Sequence, residues 1–188
     1  QGRAPFLLAS LSAFVAFAMF SLFASLAPSF MHDMVPWHGP AVSGFSISII
    51  LFMSSGFQLL ARRWALKKSA LIGLLSFIAS CALLITNLQY ASVLIFSAAV
   101  LCLAFGHGLC LIAGMGTVNR LALPEHRAAT TSSYLIIAYL GAILPIITTG
   151  FIADHLGLST ALVLFCIALM AFCSVLILLA FFKVRFPD

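Results

Sequence analysis

His107 stands between Gly106 and Gly108, deep in an apolar run, and is the only group of ordinarily near-neutral pKa well inside such a run. An imidazole there can bind a polar solute or carry a proton by changing charge near physiological pH. It can also stay neutral and hydrogen-bond a neighbouring hydroxyl or carbonyl, lending packing specificity alone. Other chemistries lack their residues. A nucleophilic serine in a membrane protease needs a Gly-x-Ser-Gly group and a second residue as base, and hydrolysis on zinc needs a cluster such as His-Glu-x-x-His; the chain has neither. Cys81, Cys102, Cys110, Cys166 and Cys173 show no Cys-x-x-Cys spacing and read as small apolar packing residues. No catalytic residue, metal site or cofactor is expected, and the chain does not read as an enzyme.

The elements that must position His107 follow from the distribution of charge. Six apolar stretches, 5–30, 41–61, 69–86, 91–118, 129–152 and 160–182, are each near or above the roughly 20 residues that a helix needs to cross a bilayer. All nine Lys and Arg residues fall in alternate gaps: Arg3 before the first stretch, Arg62, Arg63, Lys67 and Lys68 after the second, Arg120 and Arg127 around the gap after the fourth, and Lys183 and Arg185 after the sixth. By the positive-inside bias, both termini and the two basic loops are cytoplasmic. A chain that is 64% hydrophobic and 7% charged could not cover the surface of a soluble domain, so the predicted class is an all-α membrane protein of six spans. The net charge of +5 then needs no nucleic-acid partner, because it suits orientation and contact with anionic lipid headgroups. Trp37, Trp64 and Tyr90 sit where aromatic belts form, and Asp33, Glu125 and Asp154 fall in the gaps with Asp188 on the tail.

An internal repeat divides the six spans. Ser54-Ser55-Gly56-Phe57 ends the second and Thr148-Thr149-Gly150-Phe151 ends the fifth, 94 positions later and on the opposite membrane face. Three helices between copies make the second copy inverted, an arrangement in which many secondary transporters are built.

The segment from Gly56 through Arg62-Arg63-Trp64-Ala65-Leu66-Lys67-Lys68 resembles the cytoplasmic loop signature of the major facilitator superfamily (MFS), with Arg62 in place of the acidic residue and Ala65 in place of the glycine. The stretch from Asn119 to Arg127 and on through Gly141, Pro145, Gly150, Asp154 and Gly157 is also similar to that family, in the loop and helix that close each half; Leu144 stands before Pro145 where the antiporter version has Gly. The resemblance implies the C-terminal six-helix half of a twelve-helix permease in the cytoplasmic (inner) membrane of a bacterium. It also implies two halves that rock about a midplane site. The chain opens on Gln1, not Met, in keeping with a piece of a longer protein. Its implied partners are a small-molecule substrate, the lipid bilayer, and the missing N-terminal half or a second copy. Gly56, Arg62, Arg63, Lys67 and Lys68 would form the cytoplasmic gate loop.

In that family the first, second, fourth and fifth helices of a half approach the cavity or the other half, and the third and sixth face lipid. The sixth span here is the plainest, and the third is nearly so. The first carries Ser21, Ser25 and Pro28 on one side; the fourth and fifth carry His107, Tyr139 and half of the twelve glycines. His107, Tyr139, Ser21 and Ser25 are therefore the candidate cavity residues. Gly106, Gly108, Gly141 and Pro145 are candidates for bending or gating, since Gly and Pro mark places where a membrane helix can break, although close helix packing accounts for such residues equally well. The expected function is secondary transport of a small organic or drug-like solute by alternating access. The competing expectation is a non-transporting six-helix subunit or assembly protein.

Overall fold

The structure, a computed structural model, describes residues 2–34 and 40–182 and, within them, all side chains except those at 26–34, 40–43, 45 and 46. Trp37, Lys183, Arg185 and Asp188, and the side chains of Pro28, Asp33 and Met34, lie outside the described residues. Six helices account for nearly all of the described chain: α1 (Arg3–Met34), α2 (Pro40–Ala61), α3 (Leu66–Tyr90), α4 (Val93–Leu121), α5 (Arg127–Leu156) and α6 (Leu158–Phe182). A single 3₁₀ turn at Pro124–His126 leads into α5. Five of the helices are long and apolar enough over their described residues to cross a membrane, and the Ile47–Ala61 part of α2 is a shorter apolar helix. Helices of this number and composition fit an integral membrane protein.

Helix is the form such segments take because a backbone in hydrocarbon must satisfy its own N–H and C=O groups. Hydroxyls within the spans follow the same rule. Ser12 donates to the Leu8 carbonyl at 2.8 Å, Thr117 to Ala113 at 2.7 Å and Ser174 to Met170 at 2.8 Å, each one turn back. The helices also run past the apolar stretches at most ends. Lys67 and Lys68, expected in a loop, occupy the first turn of α3, Arg120 the last turn of α4 and Asp154 the last turn of α5. A helix that has crossed about 30 Å of hydrocarbon gains by continuing through the headgroup layer, where long basic side chains can still reach water. Lys67 does so over the ring of Phe181 and Lys68 over that of Trp64.

Two connections are tight. Between α3 and α4 the chain turns at Ala91 (φ 45°); its N–H bonds the Asn87 carbonyl at 2.9 Å, and the Asn87 side chain accepts from Ser92 N–H at 2.9 Å. Between α5 and α6 it turns at Gly157 (φ 86°), a conformation that suits glycine.

α4 lies at the centre, packed on α3, α2 and α1, while α1 also packs along α5. With nearly every residue apolar, side-chain size decides which helices meet. The buried face of α1 is built from Ala9, Ala13, Ala16 and Ala18 with Val15 and Met19, and that of α4 from Ala99, Ala104, Ala113 and its glycines. α3, expected to be a plain lipid-facing helix, buries a long stripe that includes Gly73, Leu74, Phe77 and Cys81. Cys81, Cys110, Cys166 and Cys173 are free and buried within the main apolar cluster. Their placement there is what the packing reading of the cysteines expects.

Candidate functional site

His107 sits fourteen residues from either end of α4, at its midpoint, and is buried. Its neighbours on both sides in sequence bring in other helices. A Cβ on Gly106 would lie 2.9 Å from the Gly73 carbonyl oxygen of α3, and one on Gly108 would lie 2.5 Å from that of Ser54 on α2. The glycines therefore make no empty room around the imidazole; they admit two backbones. The approach at Gly108 has a chemical result, because it carries Ser54 inward until its Oγ lies 2.8 Å from His107 Nδ1. Depending on the tautomer, the hydroxyl donates to Nδ1 or accepts from Nδ1–H. Both groups are buried, so the bond removes the cost of leaving either polar atom unpaired in an apolar interior.

The rest of the imidazole meets aromatic rings from α1. Phe20 lies 5.6 Å from it, centroid to centroid, and Phe17 lies at 6.2 Å. Phe17 in turn meets Tyr139 of α5 edge to face, at 5.2 Å and 78°. Phe17 thus has a ring contact with both His107 and Tyr139 and links the two. Tyr139 is 53% exposed, so this chain of contacts runs from a buried imidazole to an open face of α5.

The remaining candidates are spread over the bundle. Ser21 is half-buried on α1, and Ser25, exposed one turn later, donates to its carbonyl at 2.9 Å. Neither has a bond to His107. Gly141 is where α5 meets α1, since a Cβ there would collide with the Phe14 carbonyl. Pro145, inside α5 one turn later, lines a cleft of about 530 Å³ between α1, α5 and α6, together with Phe14, Thr149 and Phe172. Gly56, Arg62, Arg63 and Lys68 are exposed and Lys67 half-buried around the α2 to α3 connection, with Arg62 and Arg63 on a separate groove of about 790 Å³ along α2. His107 lines neither cleft.

Sequence reasoning allowed for a hydroxyl partner to His107 but did not find Ser54, which stood out only as part of the small-residue repeat. The signal was present in part: a serine inside one span, and glycine next to histidine in another, is what a close crossing with a polar bond requires. Nothing in the spacing pointed to Phe17 and Phe20 among so many phenylalanines. Compared with known proteins, the chain matches no protein-family model and no curated sequence.

Proposed function

We propose that this chain is one half of a secondary transporter, a six-helix bundle of two inverted three-helix repeats that moves a small organic solute by alternating access. The observation that carries the reading is the Ser54–His107 pair at mid-height of the central helix, one aromatic ring from an open helix face that presents Tyr139. Ionisable groups at bilayer depth are expensive and tend to mark solute or proton pathways. Part of the packing order supports the repeat. Exchanging α1 with α4, α2 with α5 and α3 with α6 turns the α1–α5 contact into α4–α2 and leaves the α1–α4 and α3–α6 contacts in place, whereas α5–α6 has no comparable α2–α3 counterpart and α3–α4 is far more extensive than α1–α6.

In this reading Arg62, Arg63, Lys67 and Lys68 lie on the cytoplasmic side with both termini. The open face of α5 meets the other half, and the MFS resemblance supplies the rocking mechanism. The first test is the reading frame upstream of Gln1, in which six further spans are expected. Reconstituted alone, the 188-residue chain should give no saturable counterflow of a fluorescent drug-like solute, and the longer chain should. A stop codon just before Gln1, with no transport by any form of the chain, would favour the non-transporting subunit. Orientation is tested with single cysteines in a cysteine-free background. Lys67→Cys should react with an impermeant thiol reagent only from the inside and Ser159→Cys only from the outside, and the reverse pattern would overturn the topology.

A further inference from the structure

The outer face of α2 is shaped for an amphiphile. Phe52, Gly56, Leu59 and Leu60 recur at the spacing of a single helical stripe, and Arg62 and Arg63 follow in the turn just past the end of α2. They line the groove of about 790 Å³. Phe52, Leu59 and Leu60 are strongly exposed, and a Cβ built on Gly56 would meet nothing within 4 Å, so the glycine is a notch between bulky neighbours. Phe52 stands nine positions before Ala61, where α2 ends. At 1.5 Å per residue that is a rise of about 14 Å, close to half of the roughly 30 Å hydrocarbon core. The stripe therefore spans one leaflet, with its apolar part towards the bilayer centre and its guanidinium groups at the headgroup level.

The four basic residues of this region are not equivalent. Lys67 and Lys68 lie over the rings of Phe181 and Trp64. Arg62 and Arg63 are exposed, and neither has an ion-pair partner among the described residues. Two planar guanidinium groups at the end of an acyl-length groove match a phosphodiester in charge and in fork geometry. A second copy of the chain is a poorer match, because it brings only four carboxylates in 188 residues. We propose that this groove is a binding site for one anionic phospholipid, its phosphate on Arg62 and Arg63 and an acyl chain lying in the notch at Gly56. The proposal rests on the membrane-embedded fold and needs this stripe of α2 to face lipid, so in the transporter proposed above the other half would pack on α5 and leave the cytoplasmic end of α2 uncovered.

Native mass spectrometry of the 188-residue chain tests it, with the chain released from micelles holding equal amounts of phosphatidylglycerol and phosphatidylcholine. The wild type should retain one phosphatidylglycerol. Arg62→Ala/Arg63→Ala should lower its retention roughly tenfold or more. Gly56→Leu, whose Cβ would have nothing within 4 Å, fills the notch and should lower it comparably while helix content and melting stay as in the wild type. Lys67→Ala/Lys68→Ala removes the same charge and should change retention less than about twofold. If the arginine pair cannot be removed without loss of insertion, Arg62→Lys/Arg63→Lys keeps the charge and loses the fork, and should still reduce retention. Equal losses from both alanine pairs with Gly56→Leu unaffected would reduce the site to diffuse surface attraction. Displacement of the lipid by inorganic phosphate at millimolar concentration would show a headgroup-only anion site. A doubled mass abolished by Gly56→Leu would make the groove an interface between copies. Each of these three results overturns the proposal.

Discussion

α4 and α5 are written in nearly the same vocabulary, glycines, hydroxyls and an aromatic or imidazole ring in an apolar helix, yet they use it differently. α4 is packed on three sides, and Gly106 and Gly108 each face the backbone of a different neighbour. α5 buries only Tyr134, Ala138, Gly141 and Thr149; Gly141 meets α1, while Gly150 meets nothing. Small residues therefore state where a membrane helix can be approached, and the fold decides where it is approached. The polar groups divide the same way. On α4 the central His107 has its hydroxyl partner, whereas on α5 Tyr139 lies open beyond Phe17, where a transporter half would meet its counterpart.

The contrast breaks most visibly at the crossings. Gly141→Val places a side chain against the Phe14 carbonyl, where neither partner is a flexible side chain that could move aside. Overpacking of this kind should cost about 3 kcal/mol or more, seen as loss of the cooperative unfolding transition in detergent. Gly108→Val should do the same and also carry Ser54 away from His107. Gly150→Ala, with open space around it, should leave stability unchanged or raise it by up to ~1 kcal/mol through helix propensity. Equal behaviour of Gly141 and Gly150 would abolish the distinction between the two helices.

Next in size is the buried polar pair. Ser54→Ala leaves His107 Nδ1 without its partner in an apolar interior and should cost about 1 to 3 kcal/mol. In a double-mutant cycle, Ser54→Ala with His107→Leu should be less destabilised than the sum of the single changes, since no unpaired group remains. His107→Gln keeps a polar side chain but cannot take up a proton in the range of about pH 5 to 8 where histidine changes charge. In the transporter proposed above it should preserve the fold and remove or shift the pH dependence of uptake. Uptake indistinguishable from wild type across that range would assign the pair to packing alone.

How much of this could be read in advance follows from which physical term decides each feature. The helical, membrane-type class is legible because bilayer thickness acts on the chain one segment at a time. The ends of α3 were less so. Lys67 and Lys68 continue the helix because the headgroup layer tolerates charge on a helical turn, which hydrophobicity alone does not record. The neighbours of His107 were hidden for another reason. With 18 phenylalanines in the chain, nothing local distinguishes Phe17 and Phe20 from rings that face lipid. Which helices share the faces of α4 is likewise a long-range outcome of Gly73, Gly106, Gly108 and Ser54 together. Ala91 could not be read at all, since a non-glycine residue at positive φ is set by the closure of the α3–α4 turn through Asn87 and Ser92.

The smallest expected effect sharpens the comparison within α5 itself. Tyr134 and Tyr139 are five residues apart and so point to different sides of the helix. Tyr134 is buried against Gly114, and its hydroxyl has no hydrogen-bond partner among the described residues. A buried hydroxyl without a partner keeps its desolvation cost, so Tyr134→Phe should be neutral or stabilising by up to ~1 kcal/mol, with the ring packing retained. Tyr139 is exposed, and Tyr139→Phe should leave stability within about 0.5 kcal/mol of wild type, as for surface changes generally. The two variants then separate by function. Tyr134→Phe should transport as the wild type does. Tyr139→Phe should alter the apparent affinity for the solute if the open face of α5 borders the pathway. Parallel unfolding and uptake measurements on the two variants check this, and destabilisation by Tyr134→Phe of more than about 1 kcal/mol would mean that its hydroxyl has a partner, such as a buried water held near Gly114.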